Sequence, residues 1–129
     1  MPQVVPPVTD ADNRFFWDGV RDGRLLLQRC TSCGALRHPP GPMCPECQSL
    51  AWEAVEASGR GTVHSWVVSR HPTEPDAEAR TVVLVDLEEG VRLVSNLVGG
   101  PAVNDAPVEV CFMTVDGVPL HQFRPVGTA

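Results

Sequence analysis

The chain has 129 residues, a formal net charge of −6 and ten basic residues, every one an arginine. A chain of this length buries roughly 60–70% of its unfolded surface, enough for one compact unit or two small lobes. The missing lysine excludes a P-loop lysine and a Schiff-base lysine, and the acidic balance argues against nonspecific phosphate-backbone binding, which needs many cations.

In chain order, the opening MPQVVPPVTDAD is Pro-rich. It has no basic n-region and no apolar h-region. No apolar run reaches the ~18 residues that span a bilayer, so the expectation is a soluble, cytoplasmic protein. Thr9 fits a helix N-cap with Asp12 three residues on, which predicts a helix over residues 10–22 that Gly23 stops. RLLLQRC (24–30) reads as a strand. The stretch RHPPGPM (37–43) holds three prolines and is neither helix nor central strand. Strands are predicted over 52–57, 61–71, 80–87, 91–98, 107–115 and 119–124, with Gly90 and Asp116-Gly117 at tight turns. The acidic, Pro-broken stretch 71–80 reads as a mobile loop. Closing so many short strands into a small barrel removes exposed edges. A five-stranded oligonucleotide/oligosaccharide-binding (OB) barrel fits the count, as do other small barrels. The expected organisation is mainly β: a lead-in and helix (1–23), a zinc ribbon (24–52) and the barrel (53–129).

The most specific motif is CTSCGALRHPPGPMCPEC, with Cys30, Cys33, Cys44 and Cys47 in two Cys-x-x-Cys pairs. In a reducing compartment paired thiols bind metal more readily than they form disulfides. Two such knuckles supply the four soft ligands of a tetrahedral structural zinc, a site with no open position for substrate. Rubredoxin-like iron and a bare redox dithiol share the spacing. Gly34 permits the positive φ a knuckle requires, whereas Gln48 at the matching position is less permissive. Cys111, in VEVCFMTV, reads as a small core residue.

Four histidines are the candidate acids and bases. His38 sits in the metal loop, where a surface role is expected, His64 and His121 lie in strands, and His71 opens the acidic loop. No H-E-x-x-H, G-x-S-x-G or Gly-rich phosphate loop accompanies them, so no catalytic residue is assigned. The run Phe15-Phe16-Trp17 is harder to place. On a helix the outer two rings diverge by ~200°, more than the ~100° stripe one surface covers. Either the helix is wedged between ribbon and barrel, or one ring anchors a partner protein, with Arg21 and the other early arginines Arg14, Arg24, Arg29 and Arg37 flanking it.

FWDGVRDGRLLLQRC, CGALRHPPGPMCPEC, WEAVEASGRGTVHSW and VVLVDLEEGVRLVSNLVG, in that order, resemble the DUF35 family over about residues 13–125. The resemblance implies an N-terminal helix, a rubredoxin-like zinc ribbon held by Cys30, Cys33, Cys44 and Cys47, and a C-terminal OB-fold. It also implies a companion of a thiolase-superfamily enzyme acting on acyl-CoA thioesters: a thiolase, or a lipid-transfer-protein-like aldolase performing retro-aldol cleavage in bacterial steroid side-chain degradation. A MaoC-like enoyl-CoA hydratase is a further implied partner. Two copies of this chain are expected per two-fold partner dimer, with neither nucleic acid nor membrane as a partner. The alternative is a single-stranded nucleic-acid binder, which would need a basic groove with stacking aromatics.

Overall fold

The computed structural model describes residues 6–70, 72–74, 76 and 78–126; His71 lies outside them. Among the described residues one helix, α1 (Arg14–Arg21), precedes eight strands: β1 (Leu26–Cys30), β2 (Leu36–Arg37), β3 (Trp52–Glu56), β4 (Arg60–Ser69), β5 (Arg80–Leu87), β6 (Arg92–Asn96), β7 (Pro107–Val115) and β8 (Val118–Pro125). Between Arg70 and Arg80, the described residues form bends and a turn.

The helix starts later than its sequence predicts, and Thr9 is not its cap. The Asp10 carboxylate accepts the N–H groups of Asp12 and Asn13, both at 2.9 Å, while the Asn13 side chain accepts that of Asp10 at 2.8 Å. This local turn competes with helix for the same donors and holds the chain until Asn13. The end is as expected: Gly23 has φ 71°, and Arg24 N–H reaches back to Gly19 O at 2.8 Å and Gly23 N–H to Val20 O at 3.1 Å. Those two bonds close a Schellman motif.

The strands form two sheets. The ribbon sheet has order β2-β1-β3, all antiparallel. The larger sheet has order β6-β5-β4-β7-β8 and curls until β6 meets β8. The closing seam is one parallel bridge, Leu97 with Phe123, and the bond from Val98 N–H to Phe123 O at 2.8 Å. That strand order and parallel closure make a five-stranded OB barrel. β3, which sequence alone groups with the barrel strands, pairs instead with β1 from Leu26–Glu56 to Cys30–Trp52.

Alternation along β5 and β6 points Val83, Val85, Leu87 and Leu93 inward. They form one cluster with Val63, Val108 and Phe123 from the barrel, Leu25 and Leu27 from the ribbon side, and Phe16 and Val20 from α1. Ribbon, helix and barrel therefore share a core. At Gly61 β4 passes so close to β5 that a Cβ would lie 2.5 Å from the Asp86 carbonyl oxygen and 2.8 Å from a Val85 methyl. A bulge at Val63–Ser65 then turns β4, and Ser65–Ser69 pair with β5 alone. Trp66, Val67 and Val68 are exposed there.

Candidate metal centre and docking surface

The two knuckles are built alike. Gly34 N–H donates to Cys30 O at 2.9 Å, and Gln48 N–H to Cys44 O at 2.8 Å. Both turns need a left-handed residue: Gly34 has φ 80° and Gln48 φ 67°. Gln48 adopts the glycine geometry with a side chain, at the cost such backbones carry for L-residues. Cys30 N–H donates to Ala35 O and Cys44 N–H to Ser49 O, both at 2.9 Å, which ties each knuckle to the chain that follows it.

The four sulfurs lie within 4.8 Å of one another, with Cys30–Cys47 at 3.5 Å and Cys33–Cys44 at 3.6 Å. A zinc with ~2.3 Å Zn–S bonds needs sulfurs ~3.8 Å apart in a tetrahedron, so the set fits that ion. Backbone N–H groups already favour thiolate at two of them. The N–H of Cys33, 3.5 Å from Sγ, lowers the Cys30 thiol to about 6, and that of Cys47 lowers Cys44. Cys33 and Cys47 also receive N–H groups, from Ala35 and Ser49, yet sharing with the neighbouring sulfurs of Cys44 and Cys30 pushes both up. Four sulfurs this close do not all ionise unless a cation sits among them. The site is a structural zinc site: all four positions are protein thiolates, which leaves the metal no place for water or substrate.

The aromatic run is split between two surfaces. Phe15 packs on Trp52 of the ribbon with the rings tilted at 48° and their centroids 4.7 Å apart. Phe16 is 3% exposed and packs in the core between His38 at 5.2 Å and His121 at 5.1 Å. Trp17 lies on the barrel side, 5.7 Å from His121. The helix is thus wedged between the two modules. Trp17 and Arg21, two of the candidate partner contacts, come together in a groove of about 290 Å³ with Pro6, Pro7 and the β7–β8 hairpin tip at Val118 and Pro119. Phe15 lies against the ribbon, and Phe16 is inside. Arg21 pairs with Asp18, Arg24 with Glu56 at 3.1 Å and Arg29 with Glu53. Arg14 is exposed and Arg37 buried.

His38 is not the surface residue its loop implied. It is largely enclosed beside Phe16, and burial lowers its pKa. His121 is lowered to about 4, first by burial and then by His38. The Nδ1 of each is buried without a partner among the described residues. Sequence reasoning missed this pairing, because residues 38 and 121 meet only through α1. His64 is far from them, at the β4 bulge, 3.3 Å from Asp86 and from Arg92. Cys111 is half-buried on β7 rather than fully internal, and its thiol is pushed up by burial. Of the barrel aromatics, Phe123 is wholly buried, Phe112 is partly buried against the core and Trp66 is exposed on β4.

Ribbon, linking helix and OB barrel define a two-module zinc protein. Family models match both modules: the rubredoxin-like zinc ribbon domain of ChsH2 at residues 17–53 and its C-terminal OB-fold domain at 54–113. The boundary between them falls inside β3, which pairs into the ribbon while leading into the barrel. The chain belongs to the DUF35 family. Its fold superposes with TM-score 0.84 on a chain of the Ltp2-ChsH2(DUF35) aldolase, at 43% identity over 92% of this chain and 98% of that one. It is 51% identical over 72% of its length to a probable enoyl-CoA hydratase alpha subunit of Thermomonospora curvata. It is 38% identical over 95% of its length to the 3-oxo-4,17-pregnadiene-20-carboxyl-CoA hydratase alpha subunit of Mycobacterium tuberculosis. The chain spans 30% and 40% of those two subunits. With the benzoylsuccinyl-CoA thiolase subunit BbsA of Thauera aromatica it shares 33% identity over 81% of each chain. Among the described residues no helix is long and apolar enough to cross a membrane.

Proposed function

We propose that this chain is a non-catalytic accessory subunit that docks on a thiolase-superfamily enzyme acting on acyl-CoA thioesters. Its partner is a lipid-transfer-protein-like aldolase, with retro-aldol cleavage in steroid side-chain degradation as the reaction. The observation that carries this reading is the match over 98% of the DUF35 chain of an aldolase complex. The relatives named as a thiolase subunit and as a steroid-type acyl-CoA hydratase subunit support the substrate class. The hydratase relatives also support a MaoC-like hydratase as second partner. The cysteine centre supports a structural role, because its four protein ligands leave no reactive position. Docking through the groove at Trp17 and Arg21 fits the enrichment of Trp and Arg at interface centres. Two copies per partner dimer follow from two-fold symmetry.

The test mixes this chain with an Ltp2-type aldolase. Each protein is assayed singly and together for cleavage of a β-hydroxyacyl-CoA, with gel filtration in parallel. The mixture is expected to turn over faster than the aldolase alone and to elute as a two-plus-two complex. Trp17→Ala is expected to weaken the complex by about 2 kcal/mol, roughly 30-fold. Full activity from the aldolase alone, turnover by this chain alone, or unchanged affinity of the Trp17 variant each contradicts the part it addresses.

A further inference from the structure

Arg37 lies on β2 and is 8% exposed. Arginine stays protonated in protein interiors, so this is a buried positive charge. Its Nη2 donates to the Gly41 carbonyl at 3.0 Å. Its Nε and Nη1 are buried and have no hydrogen-bond partner among the described residues. No carboxylate among the described residues forms an ion pair with it; Glu56 and Glu53, the nearest acids of the ribbon sheet, go to Arg24 and Arg29. A buried cation in that condition is costly unless opposite charge lies close by.

The ribbon sheet sets which groups share a face with that cation. Arg37 stands directly opposite Gln28 across β1 and β2, so both side chains leave the same face. Gln28 holds Gly41 from both sides, its Nε2 donating to the carbonyl and its Oε1 accepting the N–H, each at 2.9 Å. Arg37 and Gln28 therefore converge on one carbonyl oxygen, three residues before Cys44. Cys30 lies two residues beyond Gln28 on β1 and so on that same face. Cys30 and Cys44 are the two buried ligands, while Cys33 and Cys47 face solvent. Four thiolates around a zinc ion carry a net charge of about −2, and half of its ligands are shielded from water.

We propose that Arg37 is the counter-cation of the zinc–thiolate centre. It makes no hydrogen bond to a ligand sulfur and acts through charge across the ribbon interior. This rests on the structural zinc site and not on the docking reading, so the two stand or fall separately.

The experiment measures zinc affinity by chelator competition on the full chain at fixed pH. Arg37→Met keeps the apolar stem and removes the charge; its zinc dissociation constant is expected to rise about 10–100-fold, as for other outer-shell changes. Arg37→Lys keeps the charge and is expected to stay within about threefold of wild type. Arg29→Met removes an equal charge from the exposed face of β1 and is expected to change little. The gap between wild type and Arg37→Met is expected to persist in about 1 M salt, where exposed charges are screened. Wild-type affinity in Arg37→Met overturns the proposal. So does an equal loss in Arg37→Met and Arg37→Lys, because the fork's shape and not its charge would then matter. If Arg37→Met fails to fold, Arg37→Gln takes its place against Arg37→Lys under the same criteria.

Discussion

Replacing Cys44 by serine tests how far the metal holds the protein together. Cys44 is wholly buried, its sulfur is 3.6 Å from that of Cys33, and its N–H and C=O anchor the second knuckle through Ser49 and Gln48. Zinc binding in finger peptides contributes about 10–16 kcal/mol. One ligand in four therefore carries about 3–4 kcal/mol, or a loss of zinc affinity of two to three decades. The ribbon sheet itself is small: β2 is two residues long, three strands share one antiparallel pairing of five residues and one of two, and Leu25 and Leu27 are its share of the common core. The barrel has its own ladder of five strands and most of the buried side chains. The expected outcome of Cys44→Ser is thus graded. Chelator competition is expected to show the affinity loss, and hydrogen exchange is expected to show β1–β3 amides exchanging fast while β4–β8 amides stay protected. Unchanged zinc affinity, or equal loss of protection in ribbon and barrel, would refute the reasoning that the metal is a local core.

Two further outcomes follow from the core. Gly61→Ala places a methyl against the Asp86 carbonyl and Val85, and β4 must lift from β5; a loss of about 1–3 kcal/mol is expected in urea unfolding. Stability is also expected to fall with acid, because His121 is held near 4 in the fold and titrates near 6.5 when unfolded. Between those values the unfolded chain binds more protons, so stability is full above about pH 6.5 and declines to about pH 4, by up to ~3 kcal/mol. His38, also lowered, acts in the same direction. Denaturant titrations at several pH values check this, and His121→Leu is expected to flatten the slope.

The knuckles were legible because their chemistry is local. Cysteines three apart and a glycine after the first pair set the turn, and the structure repeats that turn at Gln48 with φ 67°. The Asp116-Gly117 turn and the strand periods of β5 and β7 were equally local. The ~200° spread of Phe15 and Trp17 correctly implied that no single surface covers the run, and the structure supplies two, Trp52 and the barrel at His121. What stayed hidden depends on contacts between distant residues. The pairing of β3 with β1 joins residues 26 and 56, and the meeting of His38 with His121 needs Phe16 between them. The burial of Arg37 likewise depends on Gln28 and Gly41 closing around it. At the helix start, Asp10 and Asn13 bonded to each other's backbones, which no helical pattern announces.

The seam of the barrel sets how the barrel comes apart. β4 and β5 exchange eight residue pairs, as do β7 and β8, whereas the seam on β8 has one bridge at Leu97 and Phe123, the Val98 N–H bond to Phe123 O and the Ser95 hydroxyl bond to the His121 carbonyl. A ring with one weak link breaks at that link first. Parting Leu97 from Phe123 unrolls the cylinder into a flat sheet running β6-β5-β4-β7-β8, with every long ladder intact. Such an opening is sub-global, because it leaves those ladders paired. It lays bare Phe123 and Leu93, which are otherwise sealed, along two raw strand margins. The half-opened form is therefore the adhesive one, and anything that clasps β6 to β8 guards the chain against its own aggregation.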